Sequence, residues 1–129
     1  MGISLFVLMP GDPIGMYHRE ADQEDFLVLS GEALLLVGGR ERQLRLRDFV
    51  HCPAQTEHMI IGTGDDPCAV LAVGAREHQA GADWGGYNVH EVALRHGAGV
   101  ERETTDPYEA YAHVARREAT GYRKGWLRG

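Results

Sequence analysis

The sequence predicts an all-β domain, a small barrel or sandwich followed by a short C-terminal helix. Three observations predict it. Short apolar runs recur between Ile3 and Gly74. Clusters rich in glycine, proline and aspartate separate them, and none of the runs carries helical periodicity. At 129 residues the chain is long enough for one core and one domain.

Ile3 to Met9 reads as a strand that stops at the turn cluster Pro10-Gly11-Asp12-Pro13. A short run over Gly15 to Glu20 leads into Ala21-Asp22-Gln23. Glu24 to Leu29 follows, closed by Ser30-Gly31. Ala33 to Val37 then ends at Gly38-Gly39, a two-residue hairpin turn. Glu41 to Leu46 alternates, with Gln43, Arg45 and Arg47 on one face and Leu44 and Leu46 on the other, as a half-exposed strand does. Phe49 to Cys52, Glu57 to Gly62 and Cys68 to Gly74 complete the set, the last preceded by the turn Thr63-Gly64-Asp65-Asp66-Pro67.

Residues 1–78 are thus the barrel core, and 79–129 an extension packed on the same domain. Within the extension, Gly81 to Gly86 reads as a loop or cover segment. Val89 to Leu94 fits either a strand or a short helix. Asp106-Pro107-Tyr108-Glu109 is a helix start, with Asp106 as N-cap, Pro107 in the first turn and Glu109 three residues after the cap. That helix is expected over 107–120, with Gly121 as its stop and Trp126 anchoring the tail.

The formal charge of −6 argues against a general nucleic-acid binder. From His113 onward there are five basic residues and one acidic, a solvated helix end or a tail that docks on an acidic neighbour. Cys52 and Cys68 sit in apolar surroundings and read as a reduced, buried pair. No apolar window reaches the ~18 residues of a membrane span. The N-terminus lacks a signal-peptide pattern, so a cytoplasmic protein that binds neither membrane nor nucleic acid is expected.

Candidate chemistry lies between His18 and His58. Alternate strand residues share a face, so His18 and Glu20 point the same way. Glu24 lies one turn later on an adjoining strand, and His58 begins a later one. Two imidazoles with one or two carboxylates can hold one divalent transition metal. Two histidines plus one carboxylate match many Fe(II) oxygenase sites, and Zn, Mn, Ni and Co fit the same ligand types. A single histidine is more often a hydrogen-bonded core or rim residue; the combination carries the metal reading. His51 reads as structural, with a supporting role to the ligands as the alternative. Met16, Tyr17, Phe26, Met59 and Trp84 are the candidates to line a small-molecule pocket, ordinary packing being the alternative for each. Cys52 has no base at a recognisable spacing and is not expected to be a nucleophile.

Residues 3 to 75 resemble the cupin superfamily in its small single-domain form. The first family motif, Gly, five residues, His-x-His, three or four residues, Glu, six residues, Gly, is matched by His18-x-Glu20, Glu24 and Gly31. The second, Gly-Asp followed by Pro-x-Gly-x-x-His, is matched by Arg47-Asp48 and Pro53-Ala54-Gln55-Thr56-Glu57-His58. The resemblance implies a double-stranded β-helix, or jelly-roll, barrel. It also implies metal ligation by His18, Glu24 and His58, with Glu20 at the place of the usual second histidine. A carboxylate there favours harder ions such as Mn²⁺ or Fe²⁺. Arg47 and Gln55 replace motif glycines in turns. The implied activity is a metal-dependent reaction on a small organic molecule, an oxygenation, isomerisation or decarboxylation; the alternative is a non-catalytic module that binds a metabolite or metal. Small cupins are often dimers, and an apolar first strand has an edge to cover, so a homodimer is expected.

Overall fold

The structure, a computed structural model, describes residues 1–114 and 117–127. Nine strands and two short helices run in the order β1 (Gly2–Leu8), β2 (Arg19–Glu20), β3 (Glu24–Ser30), β4 (Glu32–Val37), β5 (Arg40–Leu44), β6 (Phe49–Cys52), β7 (His58–Thr63), β8 (Cys68–Gly74), β9 (Gly85–Gly86), α1 (Glu91–Arg95) and α2 (Pro107–Ala110). They form a four-stranded sheet β1-β8-β3-β6, a three-stranded sheet β5-β4-β7 and a small β2-β9 pair, all antiparallel. The all-β jelly-roll expectation is met. Among the described residues no helix is long and apolar enough to cross a membrane.

The two larger sheets face each other across one core. Leu8, Phe26, Val28, Cys52 and Val70 from the first sheet meet Ala33, Leu35, Leu44 and Ile60 from the second. Each large side chain buried there contributes about 1.5–3 kcal/mol. Cys52 and Cys68 are free thiols inside this core, as expected. Burial, reinforced by Glu24 and Asp25, pushes Cys52 up to about 12; burial alone takes Cys68 to about 11. Both therefore stay protonated at neutral pH.

Beyond the core, the sheets are treated differently. The back of the three-stranded sheet, at Leu36 and Ile61, is covered by Ala93 of α1 and by Ala98. The back of the four-stranded sheet carries the cross-strand row Leu5, Leu71, Leu27 and Phe49, with Ile3 and Val73 in an adjacent row. Ile3, Leu5 and Phe49 are exposed there. An antiparallel sheet with a solvated face normally alternates apolar and polar residues; β1 and β8 are apolar on both faces.

Two expectations change and one open alternative resolves. The Gly15 to Glu20 run forms a strand only at Arg19–Glu20, preceded by single bridges from Pro13 to Ile61 and from His18 to His58. Its intervening amides go elsewhere, Met16 N–H to the Tyr111 hydroxyl and Tyr17 N–H to the Ala98 carbonyl. Val89 to Leu94 resolves as the helix α1, capped by the His90 side chain. The helix over 107–120 is one turn, Pro107–Ala110; residues 117–120 are not helical, and 115–116 lie outside the described residues. Asp106 caps it as expected, accepting from Tyr108 N–H. Glu109, however, accepts from the Thr104 hydroxyl rather than closing a capping box. Ala110 is the one buried residue of α2, so no apolar stripe sustains a longer helix.

Both replaced motif glycines fall at left-handed backbone positions, Arg47 at φ 73° and Gln55 at φ 67°. Asp48 holds the first turn by accepting the Arg45 N–H at 2.8 Å. Gly31 also has positive φ, and a Cβ there would lie 2.4 Å from the Pro67 carbonyl oxygen. A side chain in this region costs about 1–2 kcal/mol. Arg47→Gly and Gln55→Gly are therefore expected to stabilise the fold by about 0.5–1 kcal/mol each, after the added chain entropy of glycine is set against the relief. Gly31→Ala is expected to destabilise by about 3 kcal/mol, since a steric conflict with backbone adds to the strain. Thermal denaturation followed by circular dichroism checks the two signs.

Candidate metal centre

His18 and His58 are brought together by backbone pairing. His58 N–H donates to the His18 carbonyl at 2.9 Å, and His18 N–H returns to the His58 carbonyl at 3.3 Å. Residues paired this way send their side chains to one face, and the two rings lie 4.8 Å apart. Glu24, the first residue of β3, reaches the same point. Its Oε1 is 2.6 Å from His58 Nε2 and 4.0 Å from His18 Nε2.

The tautomers follow from the neighbours. His18 Nδ1 lies 2.8 Å from the Met16 carbonyl, and His58 Nδ1 lies 2.8 Å from the Thr56 carbonyl. A carbonyl only accepts, so each Nδ1 carries a proton and donates it. In the neutral rings the His58 Nε2 lone pair then points to Glu24 and that of His18 lies between Glu20 and Glu24. A lone pair set 2.6 Å from a carboxylate requires a cation, either a proton on the nitrogen or a metal ion between the groups.

The donor set passes a geometric test for such an ion. One atom each from His18, Glu24 and His58 lie within 4.8 Å of one another. Donors bound about 2.1 Å from one ion stand roughly 3–4 Å apart, so small side-chain movements complete the site. Imidazole ligands normally donate their second ring nitrogen to an oxygen that fixes their orientation, and Met16 and Thr56 provide this here.

Glu20 adjoins the three without joining their group: its Oε1 lies 3.0 Å from His18 Nε2. Its strand position is secured twice, by pairing with Gly85 and by Gln55 N–H donating to its carbonyl at 2.6 Å. His51 lies apart from the group and pairs with Asp25, 2.5 Å away, on the outer row that holds Ile3 and Val73. A second group, Asp22, Glu77 and His78, has two exposed members and was not singled out in the sequence, because Asp22 is distant from the others along the chain.

His18, Glu20 and Glu24 line a cavity of about 450 Å³. Phe26, Met59 and Trp84 line it as the sequence reading placed them. Met16 does not: it packs with Tyr87, Val100 and Ala110 and borders a neighbouring cavity. Tyr17 does not line it either: it packs with Leu36, Met59 and Ala93. Tyr87, Tyr111, Arg76 and Gln79 also form the wall, and sequence reasoning missed them. They come from the extension or its border, where no periodic pattern points inward. Trp84 and Tyr87 stand over His18 with ring centres 6.5 and 6.1 Å away. Trp84 is fixed by donating its indole N–H to the Thr105 carbonyl at 3.0 Å. Burial, with the Tyr111 neighbour, pushes the Tyr87 hydroxyl far above its ordinary value, so it remains a proton donor.

The charges shape each other. Burial pulls the His18 pKa down, but Glu20 and Glu24 outweigh it, and the net value is raised above 6.5. Burial pushes Glu24 up, but His58 and His18 outweigh it, and the net value is lowered below 4.5.

A family model described as "Cupin domain" matches residues 4–74. A search of curated proteins found no match. Among solved structures, the chain is similar to a candidate sugar phosphate isomerase from Acidithiobacillus ferrooxidans, with 29% identity and a TM-score of 0.55 over 57% of this chain and 48% of the other. A protein named as a sugar phosphate isomerase from a cupin superfamily, from Silicibacter pomeroyi, gives 28% and 0.54 over 58% and 50%. A predicted oxalate decarboxylase from Thermotoga maritima gives 25% and 0.53 over 56% and 63%. The chain therefore spans about half the length of the first two.

The His18 shift has a definite sign in the ion-free protein. A raised histidine value stabilises the fold fully below the unfolded value, about 6.5, and the contribution is lost as pH rises through the folded value. Chelator-treated protein is expected to lose thermal stability between pH 6 and 8. His18→Gln is expected to flatten that slope, which differential scanning calorimetry checks.

Proposed function

The chain belongs to the cupin domain family, and from that premise we propose that it is a metal-dependent enzyme acting on a small organic molecule, with isomerisation as the reaction class. One observation carries this reading: His18 and Glu24 line a cavity and converge with the buried His58, both imidazole tautomers already set for ligation. A divalent ion held by these three would supply Lewis acidity at its open positions.

The chain's own residues supply the rest. Glu20 sits beside the group and on the cavity wall, within hydrogen-bond reach of His18. In this reading it takes a proton from a carbon or hydroxyl of the substrate and returns it at the neighbouring position. Trp84 and Tyr87 shield the site from water, and Phe26 and Met59 offer apolar contact. The names carried by the two sugar phosphate isomerase structures support isomerisation over oxygenation. Metal analysis of the purified protein, followed by NMR of a panel of sugars, sugar phosphates and keto acids, tests the reading. Oxygen consumption without isomerisation would replace it with an oxygenase, and an absence of metal would leave a binding module.

Variants separate the roles. His58→Ala is expected to abolish Mn²⁺ binding in calorimetric titration, since a methyl group cannot replace an imidazole. Glu20→Gln is expected to keep Mn²⁺ affinity within about threefold while turnover falls about 100-fold or more; a large loss of affinity would instead make Glu20 a fourth ligand. Because protons and metal compete for the same nitrogens, wild-type affinity is expected to fall as pH drops from 8, starting above 6.5 because the His18 value is raised. A flat affinity between pH 7.5 and 5.5 would exclude the histidines.

We also propose that the bare back of the four-stranded sheet pairs with a second copy. The row Leu5, Leu71, Leu27 and Phe49 carries no charge, and Asp25 and His51 are already paired with each other at its border. Face-to-face packing about a two-fold axis buries such a surface without stranding an ion. Four strands span roughly 19 Å by 20 Å, about 400 Å² per copy, which places the dimer at the weak end of the range. Light scattering is expected to give twice the chain mass at high micromolar concentration, and Leu5→Lys with Phe49→Lys is expected to give monomers.

A further inference from the structure

The wall of the main cavity holds three carboxylates and one strong cation among its described residues. Each carboxylate is engaged by a histidine. Glu24 meets His58 at 2.6 Å, and Glu20 meets His18 at 3.0 Å. Asp22 uses both oxygens on His78, accepting from its backbone N–H at 2.8 Å and lying 2.7 Å from its Nδ1. Arg76 is the one Lys or Arg on that wall. Among the described residues it forms no ion pair and no hydrogen bond, although all three carboxylates share its cavity.

Its placement is specific. Arg76 follows the end of β8 in the left-handed region, at φ 58°, a conformation that costs a non-glycine residue about 1–2 kcal/mol. The side chain lies over Gly2 at the paired start of β1: a Cβ on Gly2 would fall 1.9 Å from Arg76 Nε. The absent side chain at Gly2 is the seat on which the guanidinium rests. Gln79, also on the wall, adds an amide nearby in sequence. A guanidinium with five unused donors matches the planar edge of a carboxylate or the face of a phosphate. The same cavity carries the His18, Glu20 and Glu24 group, with Trp84 and Tyr87 beside it.

We propose that the substrate is anionic, and that its carboxylate or phosphate group docks on Arg76 while its hydroxyl or carbonyl end faces His18, Glu24 and His58. This rests on the enzyme reading above and names the substrate class for that same cavity. Carboxylate and phosphate share the chemistry that Arg76 recognises, and one carbon frame bearing either group distinguishes them.

The experiment is calorimetric titration of Mn²⁺-loaded and chelator-treated protein with glycerol, glycerate and glycerol 3-phosphate. At least one of the two anions is expected to bind ten times or more tightly than glycerol, and which one it is identifies the acid group. Arg76→Gln is expected to remove that preference while Mn²⁺ affinity stays within about threefold, and Arg76→Lys to retain part of it. Gly2→Ala keeps the guanidinium but displaces it, and is expected to weaken anion binding as well. Rising salt is expected to weaken the anions and leave glycerol unaffected. An undiminished preference in Arg76→Gln, equal binding of all three probes, or no binding of any of them would overturn the proposal. If the wild type takes no Mn²⁺ yet shows an Arg76-dependent anion preference, the metal reading fails and the anion site stands.

Discussion

The two hydrogen bonds exchanged between the backbones of His18 and His58 are the constraint on which the candidate site depends. They lie outside the regular strands, at a point where Arg19–Glu20 has not yet begun and β7 is just starting. A one-residue slip at that bridge would turn one imidazole to the opposite face. The Met16 and Thr56 carbonyls, each two residues before its histidine, then set both rings. Ring position and ring tautomer therefore come from backbone atoms. Side-chain substitution around the site leaves them largely in place.

That arrangement sets a polar group against the grain of the surrounding core. His58 is 2% exposed and His18 13%, and neighbouring Phe26 lies edge-on to His58 at 5.6 Å. Burying carboxylates and imidazoles here is unfavourable unless each donor finds an acceptor. One nitrogen of each ring does. The other faces a carboxylate, Glu20 for His18 and Glu24 for His58. The fold thus gathers two imidazoles and two carboxylates at one point, the donor types that a divalent ion takes. The surrounding apolar core keeps the barrel folded around that group.

Much of this was legible in the sequence. Strands bounded by glycine, proline and aspartate were readable because turns require those residues for backbone reasons that do not depend on the rest of the fold. The grouping of His18, Glu24 and His58 was readable from spacing. Glu20 was readable in place but not in partnership, since strand alternation gives a face and not a distance. The helix over 107–120 was overread. Asp106 and Pro107 start a helix, but they say nothing of its length, which depends on a buried stripe that this segment lacks. Met16 was misplaced because its position depends on a distant contact: its amide binds Tyr111, 95 residues away. No local pattern encodes that return of the chain.

The extension therefore does two separate pieces of work. Through α1 and Ala98 it covers the back of one sheet. Through Trp84, Tyr87 and Tyr111 it roofs the cavity, with the Tyr87 and Tyr111 rings meeting at 82° and 5.9 Å. The donors all lie between His18 and His58, on strands and bridges whose register the barrel enforces. The roof lies on loops and single turns, tied down by a few bonds such as Trp84 to the Thr105 carbonyl and Met16 to the Tyr111 hydroxyl. Changes in the roof reshape the cavity without altering the donor set, because no donor's backbone pairing passes through Trp84, Tyr87 or Tyr111. Changes in the barrel register would do the reverse. The donor group and the roof of this cavity are thus carried by different parts of the chain, and the roof was the part that periodicity could not reveal.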